Sequence, residues 1–365
     1  MEKSFSTIKN ITNTYQICFD KNFDIRYPNF SNYGGLRNFG HYKKNLKDKP
    51  LISIVTTSLN SSKTIEKTIL SVLDQTYDNI EFIIVDGNST DDTLKIIKKY
   101  EKFIDFWISE KDNGIFHAMN KGIKISTGNI IGILNSDDVY TKDALLLTKR
   151  YFEKKIDYLF GSVKKDRLLS GFNKKKIKWK FNIYPGHSSG FFISRNAQLK
   201  VGLYDEEFKL HADYDLIFKL VHDFNLNGMS MDKNHITGIF DLKGKSSEES
   251  IFQYFYEEFK IRKKNKQNFF FIGPLFLIKI IYFYFLKISF FKILIKFMND
   301  KINFRGNVFL YHGMKDISVP YQESFIIAEN IQNANNVKVI LEKNGDHRLS
   351  EKNEIITILK LIELS

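Results

Sequence analysis

The chain has 365 residues, of which 43% are hydrophobic and 27% are charged, so it is long and apolar enough for one large domain and a smaller one. This composition excludes a disordered protein, and the single cysteine, Cys18, excludes an internal disulfide and suits a reducing compartment. The net charge of +13 predicts an acidic partner, which could be a nucleic acid, an anionic membrane or a phosphorylated substrate.

Residues 1–49 are polar and aromatic without clear periodicity, and they end in a basic run, Lys43–Pro50. We predict an N-terminal extension with weak structure. The first residues lack the apolar core of a signal peptide, so we do not expect export by that route.

Three apolar runs follow, and each is typical of a strand buried on both faces: Ile52–Thr56, Glu81–Asp86 and Ile130–Leu134. Between the first two, Ser62–Asp74 carries apolar side chains at helical spacing. After the second, Ser89–Asp92 has the pattern of a capping box that opens another helix. The order β-α-β-α predicts an α/β fold with a parallel sheet.

Polar residues follow each predicted strand. In a parallel sheet, ligands bind beyond the carboxyl ends of the strands, so we expect these side chains to meet at one edge. Two adjacent carboxylates, Asp137 and Asp138, would repel each other, and a divalent metal is their natural partner. The pattern favours a nucleotide and metal site over three unrelated solvated turns. The residues concerned are Thr57, Ser58, Asn60, Asp86, Gly87, Asn135, Asp137 and Asp138.

Four segments, in order, resemble the motifs of bacterial family 2 glycosyltransferases with the GT-A fold: Pro50–Asn60, Val85–Asp91, Glu110–Gly122 and Asn135–Asp138. The resemblance covers about residues 34–242. It implies an inverting sugar transfer from a nucleoside diphosphate sugar, commonly uridine-linked, with Mg²⁺ or Mn²⁺ as the cofactor.

The resemblance also assigns the donor side of the site. Asp86 would hold the uracil or ribose, and Thr57, Asn60, Asp112 and Asn120 would line the same pocket. Asn135–Asp137 takes the place of the family's Asp-X-Asp. Asp137 is therefore the predicted metal ligand, with Asp138 as its neighbour. Asn135 departs from the pattern and removes one carboxylate, which leaves a neutral contact to ribose or water.

The acceptor side is assigned from Leu210–Leu216, which resembles the family segment with a Glu-Asp pair whose Asp is the catalytic base. Here Ala212 replaces the Glu, and Asp213 is the predicted base, in the first turn of a helix whose dipole favours the ionised carboxylate. The alternative is an ordinary Asp at a helix start, which is the role we expect for Asp215. His187 is predicted to complete the metal site or to line the acceptor pocket.

The stretch Asn268–Met298 is rich in Phe, Ile, Leu and Tyr, but its longest charge-free portion, Gln267–Ile278, is shorter than the roughly 20 residues that span a bilayer. We predict two short helices that lie on an anionic membrane surface, helped by a preceding basic run. The alternative is that the helices pack on the main domain. No nucleic-acid module is recognisable, so we expect no nucleic-acid partner. The basic run comprises Lys260, Arg262, Lys263, Lys264 and Lys266.

The last segment, residues 301–365, resembles the end of an α/β-hydrolase. A strand near Asn307, a helix over Tyr321–Gln332 and a strand over Val337–Leu341 would present Asp316 and His347 as two members of a triad. The only Gly-X-Ser-X-Gly in the chain, at residues 186–190, offers Ser188 as the nucleophile. Because Phe191–Ser194 continues it as a strand, we do not expect hydrolase activity.

These predictions give a GT-A domain at residues 50–245, an extension at 1–49, membrane-proximal helices at 246–300 and a partial hydrolase-like segment at 301–365. We predict a cytoplasmic enzyme, peripheral on the inner face of a bacterial membrane, that adds sugars to a glycan or lipid-linked acceptor in surface polysaccharide biosynthesis. The alternatives are an esterase using Ser188, Asp316 and His347, a nucleotidyltransferase, and a fusion protein with a decayed site.

Overall fold

The computed structural model describes residues 32–164, 168–172, 187–240 and 251–282, together with the backbone of four short strands between residues 302 and 342. The chain divides into two compact units, Met1–Leu277 and Ile278–Ser365. Cys18 and the two C-terminal triad candidates, Asp316 and His347, lie outside the described residues.

Two sheets build the first unit. Eight strands form the larger sheet in the order β1-β4-β3-β2-β5-β10-β7-β11, and four form the smaller one in the order β6-β12-β8-β9. The strands are β1 (Tyr33–Gly34), β2 (Ile52–Ser58), β3 (Ile80–Asp86), β4 (Phe106–Ser109), β5 (Ile130–Ile133), β6 (Val139–Tyr140), β7 (Tyr158–Phe160), β8 (Ser162–Lys164), β9 (Leu168–Leu169), β10 (Phe191–Ser194), β11 (Gly228–Ser230) and β12 (Ile236–Ile239).

Strands β4, β3, β2 and β5 are parallel, so their carboxyl ends share one edge of the larger sheet. The three predicted strands are confirmed as β2, β3 and β5. The fourth parallel strand, β4 (Phe106–Ser109), was not predicted from the sequence.

Helices cover both faces of the larger sheet, which is why every residue of β2 and β3 is buried. Side chains of α1, α2 and α4 form one core with the sheet, and side chains of α3, α5, α6 and α7 form the other. The helices are α1 (Ile65–Leu73), α2 (Thr93–Lys99), α3 (Ile115–Ile125), α4 (Ala144–Phe152), α5 (Arg195–Val201), α6 (Ala212–Phe218), α7 (Ile251–Lys264) and α8 (residues 269–282).

The predicted capping box before α2 is wrong in detail. The helix begins at Thr93, and the Asp91 carboxylate accepts the Thr93 backbone N–H at 3.0 Å. Ser89, the expected cap, instead donates its hydroxyl to Asp86 at 2.5 Å. The Ser89 side chain therefore stabilises the end of β3 and does not cap the helix.

The predicted extension is also wrong for residues 32–49, which are part of the first unit. Strand β1 pairs with β4 at the edge of the sheet. The Arg37 guanidinium forms an ion pair with Glu81 inside the protein, and Lys43 Nζ lies 2.8 Å from Asp105 Oδ2, with both side chains buried. Buried charges of this kind require partners, so the segment is anchored where its composition suggested weak structure.

Helix α7 changes the predicted boundary at residue 245. Its Ile261 is completely buried in the core beside α6, and Arg262 is buried with its Nε 2.9 Å from Glu258 Oε1. Lys264 pairs with Asp205 and Asp215. Two cations of the predicted membrane-binding run are therefore paired with carboxylates of the first unit; of these Arg262 is buried, whereas Lys264 is exposed, as are Lys260, Lys263 and Lys266. No helix in the described part of the chain is long and apolar enough to cross a bilayer.

The second unit contains two pairs of parallel strands. Strand β14 (Asn307–Gly313) pairs with β16 (Asn336–Glu342), and β13 (Ile302–Asn303) pairs with β15 (Ile331–Gln332). The predicted strands near Asn307 and at Val337–Leu341 are confirmed. The predicted helix over Tyr321–Gln332 is wrong at its end, because Ile331 and Gln332 are in strand β15.

We expect Arg37→Ala to lower the free energy of unfolding by about 3–5 kcal/mol, because it leaves the Glu81 carboxylate charged and buried without its cation. Lys49→Ala is the matched control, since Lys49 pairs with Asp78 at the surface, where such a pair contributes about 0–1 kcal/mol. Urea unfolding of the two variants tests this. Equal, small losses would mean that residues 32–49 do not stabilise the unit.

Candidate active site

The Asp86 carboxylate, completely buried at the end of β3, holds three strand ends together. It accepts hydrogen bonds from Ser58 Oγ on β2 at 3.1 Å and from Ser109 Oγ on β4 at 2.7 Å. The backbone N–H of Ser89 at 2.9 Å and its hydroxyl at 2.5 Å complete the set. A carboxylate has about four acceptor positions, so these contacts occupy Asp86 fully in this arrangement. Asp86 is therefore a structural residue that holds together the strand ends next to the predicted nucleotide site.

Asp112 faces the same strand end from the loop before α3. A Cβ atom on Gly87 would lie 2.7 Å from Asp112 Oδ2, so the absence of a side chain at Gly87 lets this partly exposed carboxylate approach the turn. Its Oδ1 accepts the Gly114 N–H at 3.0 Å. The structure thus brings Asp112 to the residue that follows Asp86.

Asn60 lies in the turn after β2. It adopts a left-handed backbone conformation (φ 51°), which Asn tolerates better than most residues. Its side-chain oxygen accepts the Thr90 N–H at 2.9 Å, and its own N–H donates to Ser89 Oγ at 2.8 Å. Asn60 is exposed and joins the turn after β2 to the turn after β3.

Thr57 and Asn135 bring the turn after β5 to the same edge. Thr57 Oγ1 lies 3.5 Å from Asn135 Oδ1, and Asn135 Nδ2 donates to Ser188 Oγ at 3.2 Å. A second link joins Ser61 Oγ and Ser136 Oγ at 2.7 Å. The neutral Asn135 therefore serves as a connection between strand ends, a role for which a carboxylate lacks the N–H donor.

The two adjacent aspartates differ in their surroundings. Asp138 is completely buried, its Oδ2 lies 3.5 Å from His187 Nδ1, and its charge together with burial raises the pKa of Tyr140. Asp137 is partly exposed. The His187 ring also packs against Phe240, with 4.1 Å between ring centres. The sequence grouped these three residues as metal ligands, and the structure places His187 against Asp138.

Within the described residues, no group of three His, Cys, Asp or Glu side chains is arranged to hold a metal ion by itself. Mg²⁺ sites on nucleotide substrates do not need such a group, because one or two carboxylates suffice when phosphates and water complete the shell. Asp137, which is partly exposed and adjacent in sequence to the buried Asp138, fits that kind of site. It does not fit a closed cage of three protein ligands.

Asp213 lies in the first turn of α6, as predicted, but its electrostatics differ from the expectation. Burial raises the pKa of its carboxyl to about 6, and the Glu257 carboxylate acts in the same direction. Hydrogen bonds from backbone N–H groups, including that of Tyr214 at 2.8 Å, oppose the rise without cancelling it. The helix dipole was expected to favour the ionised form, and burial outweighs it. A carboxyl in this range can exchange a proton near neutral pH.

Asn120 has a different place from the predicted one. It is buried, its Oδ1 accepts the Tyr204 N–H at 2.9 Å, and its Nδ2 donates to the Tyr204 carbonyl at 2.9 Å and to Glu206 Oε1 at 2.8 Å. Its amide is engaged by the protein, so a nucleotide contact is not supported. Instead Asn120 holds Tyr204, whose pKa is raised by burial and by Asp213.

Ser188 is not on a nucleophile elbow. It lies in a short turn of helix, Ser188–Gly190, that leads directly into strand β10, whereas an elbow leads from a strand into a helix. Its hydroxyl accepts from Asn135 and lies 3.4 Å from His187 Nδ1. Ser188 therefore contributes to the strand-end cluster, and the esterase interpretation loses its nucleophile.

Several residues that shape the site carried no recognised sequence signal. Ser109 could have been found by identifying β4, since it ends that strand as Asp86 ends β3. Glu257 lies 44 positions after Asp213, and nothing local in the sequence predicts that it faces the same turn. Only tertiary packing brings it there.

Comparisons with known proteins agree with this geometry. Residues 53–208 match the family model described as Glycosyl transferase family 2. The putative teichuronic acid biosynthesis glycosyltransferase TuaG of Bacillus subtilis (strain 168) is 39% identical over 114 residues, which are 30% of this chain and 42% of TuaG. WfgD of Escherichia coli, a UDP-Glc:alpha-D-GlcNAc-diphosphoundecaprenol beta-1,3-glucosyltransferase, is 32% identical over 117 residues, 32% of this chain and 46% of WfgD. The chain thus spans less than half the length of these two relatives.

A longer match is with the uncharacterized glycosyltransferase MT1564 of Mycobacterium tuberculosis (strain CDC 1551 / Oshkosh). It is 30% identical over 182 residues, which are 47% of this chain and 68% of MT1564. Residues 53–208, which the family model matches, include strands β3, β4 and β5 and the polar residues that follow β2, β3 and β5. The chain therefore has an α/β fold and belongs to glycosyl transferase family 2.

Proposed function

We propose that the protein is an inverting glycosyltransferase that moves a sugar from a UDP-linked donor to a glycan or lipid-linked acceptor in surface polysaccharide biosynthesis. The observation that carries this proposal is Asp213, an acidic side chain whose pKa of about 6 suits a base. The names of two relatives agree with the substrate classes, since TuaG is assigned to teichuronic acid and WfgD to a UDP-Glc donor and a diphosphoundecaprenol acceptor.

The donor would bind at the edge where β2, β3 and β5 end. In this proposal Thr57, Asn60 and Asp112 line the nucleotide pocket, and Asp86 fixes the turn on which the nucleotide rests. Asp137 holds Mg²⁺ or Mn²⁺ with the donor phosphates, while Asp138 and His187 orient it. A bound divalent cation would neutralise charge that grows on the diphosphate as it leaves.

Asp213 would act on the acceptor. Its carboxylate takes the proton of the acceptor hydroxyl as that oxygen bonds to the anomeric carbon, and the bond from that carbon to the diphosphate oxygen breaks. The electron pair leaves with UDP. Attack opposite the leaving group inverts the anomeric configuration, so a base on the face away from the nucleotide is required. The proposal therefore places Asp137 and Asp213 on opposite sides of one sugar-sized hollow.

The membrane interface would lie at the start of α8. Phe269 and Phe270 are 61% and 88% exposed, and Lys263 and Lys266 are exposed shortly before them. We propose that these residues attach the enzyme reversibly to an anionic bilayer, on the cytoplasmic face where the lipid-linked acceptor and the nucleotide sugar are both available.

We expect Asp213→Asn to reduce UDP release by about 100-fold or more, because the amide cannot accept the acceptor proton. Wild-type kcat should rise as the pH rises through about 6, where Asp213 loses its proton.

Asp213→Asn should also raise the free energy of unfolding at pH 7, by about 1–3 kcal/mol. Above its pKa the wild-type carboxylate is ionised, which burial disfavours, whereas the amide of the variant carries no charge. UDP-release assays over about pH 5–8 and urea unfolding measure both effects, and wild-type turnover in the variant would remove Asp213 as the base.

We expect Asp137→Asn to weaken the combined binding of UDP and Mn²⁺. At about 100 times the dissociation constant, the ligand should stabilise the wild-type protein by about 2.7 kcal/mol, and the variant should lose most of this gain. Thermal shift with UDP, with and without Mn²⁺, measures the change without relying on activity. Asp74→Asn is the control, since Asp74 is exposed at the end of α1, away from the carboxyl ends of the strands. An unaltered Mn²⁺ effect in Asp137→Asn would show that another residue holds the metal.

We expect wild-type protein to co-sediment with vesicles containing anionic lipid and less with neutral vesicles. Lys263→Glu should reduce this binding by at least about fivefold, since each cation near an anionic surface contributes about 1 kcal/mol. Phe270→Ser should reduce it further by removing an apolar anchor. Phe39→Ser is the control, because Phe39 is 73% exposed elsewhere in the unit. Equal losses in Phe39→Ser and Phe270→Ser would argue against a defined contact at α8.

A further inference from the structure

Helix α7 lies outside residues 53–208, the part of the chain that matches the family model, yet it packs against the acceptor side of the site. Its Ile261 is buried in the same core as Leu216 and Ile217 of α6. Asn265, just after the helix, donates to Asp215 Oδ1 at 2.9 Å. These contacts fix α7 beside the helix that carries Asp213.

Glu257 of α7 is directed at the turn that precedes α6. Its Oε1 accepts the Lys209 N–H at 3.2 Å and its Oε2 accepts the Leu210 N–H at 2.9 Å. His211 Nδ1 lies 3.6 Å from Oε2. Glu257 is 7% exposed, so its charge is held in the interior and not in solvent. Hydrogen bonds to an ionised carboxylate are strong, and two of them on consecutive N–H groups define the path of this turn.

The groups around Asp213 come from three parts of the chain. Tyr204 faces it from the loop after α5, while Tyr254 and Glu257 face it from α7. His211 and Asp215 lie on its own helix or at its start. Asp215 is neutralised by Lys219, with Nζ 2.7 Å from Oδ2, whereas Glu257 acts on Asp213 as a like charge and raises its pKa. Glu257 therefore provides a carboxylate near Asp213 in the folded protein, whereas the residue that precedes Asp213 in the sequence, Ala212, has no acidic group.

We propose that Glu257 is the positioning residue for the catalytic base, holding the turn of residues 209–211 that aims Asp213 and supplying the second carboxylate that Ala212 lacks. This inference rests on the proposed role of Asp213 as base. Because like charges disfavour ionisation of their neighbours, the Glu257 carboxylate also makes Asp213 a stronger base than burial alone would make it.

The test compares Glu257→Gln with Glu258→Gln in the full chain. Gln keeps the shape of the side chain and one acceptor oxygen but removes the charge. We expect the acid limb of the kcat profile to move to lower pH in Glu257→Gln, with kcat at neutral pH about 10-fold lower and the KM for the nucleotide sugar unaltered. A residue that only stabilises the fold would not move the limb in this direction.

Glu258 is a matched control on the same helix. It is also 7% exposed, and its partner is Arg262, so Glu258→Gln removes an equally buried charge without touching residues 209–211. We expect Glu258→Gln to lower the free energy of unfolding and to leave the acid limb of the kcat profile at its wild-type pH. If both variants shift the limb equally, the effect is one of general charge on α7 and the proposal is overturned.

If Glu257→Gln does not fold, Glu257→Asp decides the question, because it keeps the charge but shortens its reach to the turn. Wild-type kcat and an unmoved profile in that variant would overturn the proposal, and a loss of kcat would support it. A failure of the role proposed for Glu257 can be distinguished from a failure of the proposed function. If Asp213→Asn abolishes transfer while Glu257→Gln has the wild-type profile, only the role of Glu257 is lost. If Asp213→Asn remains active, the base itself has been misassigned.

Discussion

The arrangement of the site depends on one buried carboxylate. Asp86 is completely inaccessible to solvent, and a charge in that position costs several kcal/mol unless hydrogen bonds replace its water. The hydroxyls of Ser58, Ser89 and Ser109 provide them, and in doing so they fasten the ends of β2 and β4 to the end of β3. The turns that carry the candidate site start from these fixed ends, so their position is a consequence of satisfying a charge in the interior.

The same constraint explains why parts of the chain that look peripheral are integral to the fold. Burial alone would raise the pKa of Glu81, but the Arg37 guanidinium and hydrogen bonds from Ser53 and Thr127 lower it below its ordinary value. Lys43 pairs with the buried Asp105 carboxylate, but there burial outweighs the cation and the pKa of Asp105 stays above its ordinary value. Several cations of this basic protein thus balance interior carboxylates, and the net charge of +13 overstates what is available at the surface for an acidic partner.

On the acceptor side, charge is left less completely balanced. Asp213 has a carboxylate neighbour in Glu257, and burial disfavours its ionised form. The surrounding structure keeps this unfavourable arrangement because α7 is anchored independently, through Ile261 in the core and through Lys264 and Asn265 near Asp215. Such an arrangement lowers stability, and groups whose ionisation is disfavoured in this way are common at functional sites.

The sequence by itself determined three of the four parallel strands, β2, β3 and β5, because continuous apolar runs report burial on both faces, and it determined which edge carries the polar residues. It also determined the start of α6 and hence the position of Asp213 in a first turn. Tertiary structure alone decided that Asp86 is enclosed, that Asn120 holds Tyr204, and that Arg37 and Glu257 reach residues 44 positions away. The physical reason is range: apolar periodicity acts between neighbouring residues, whereas the burial and pairing of charges depend on segments that meet only when the chain has folded.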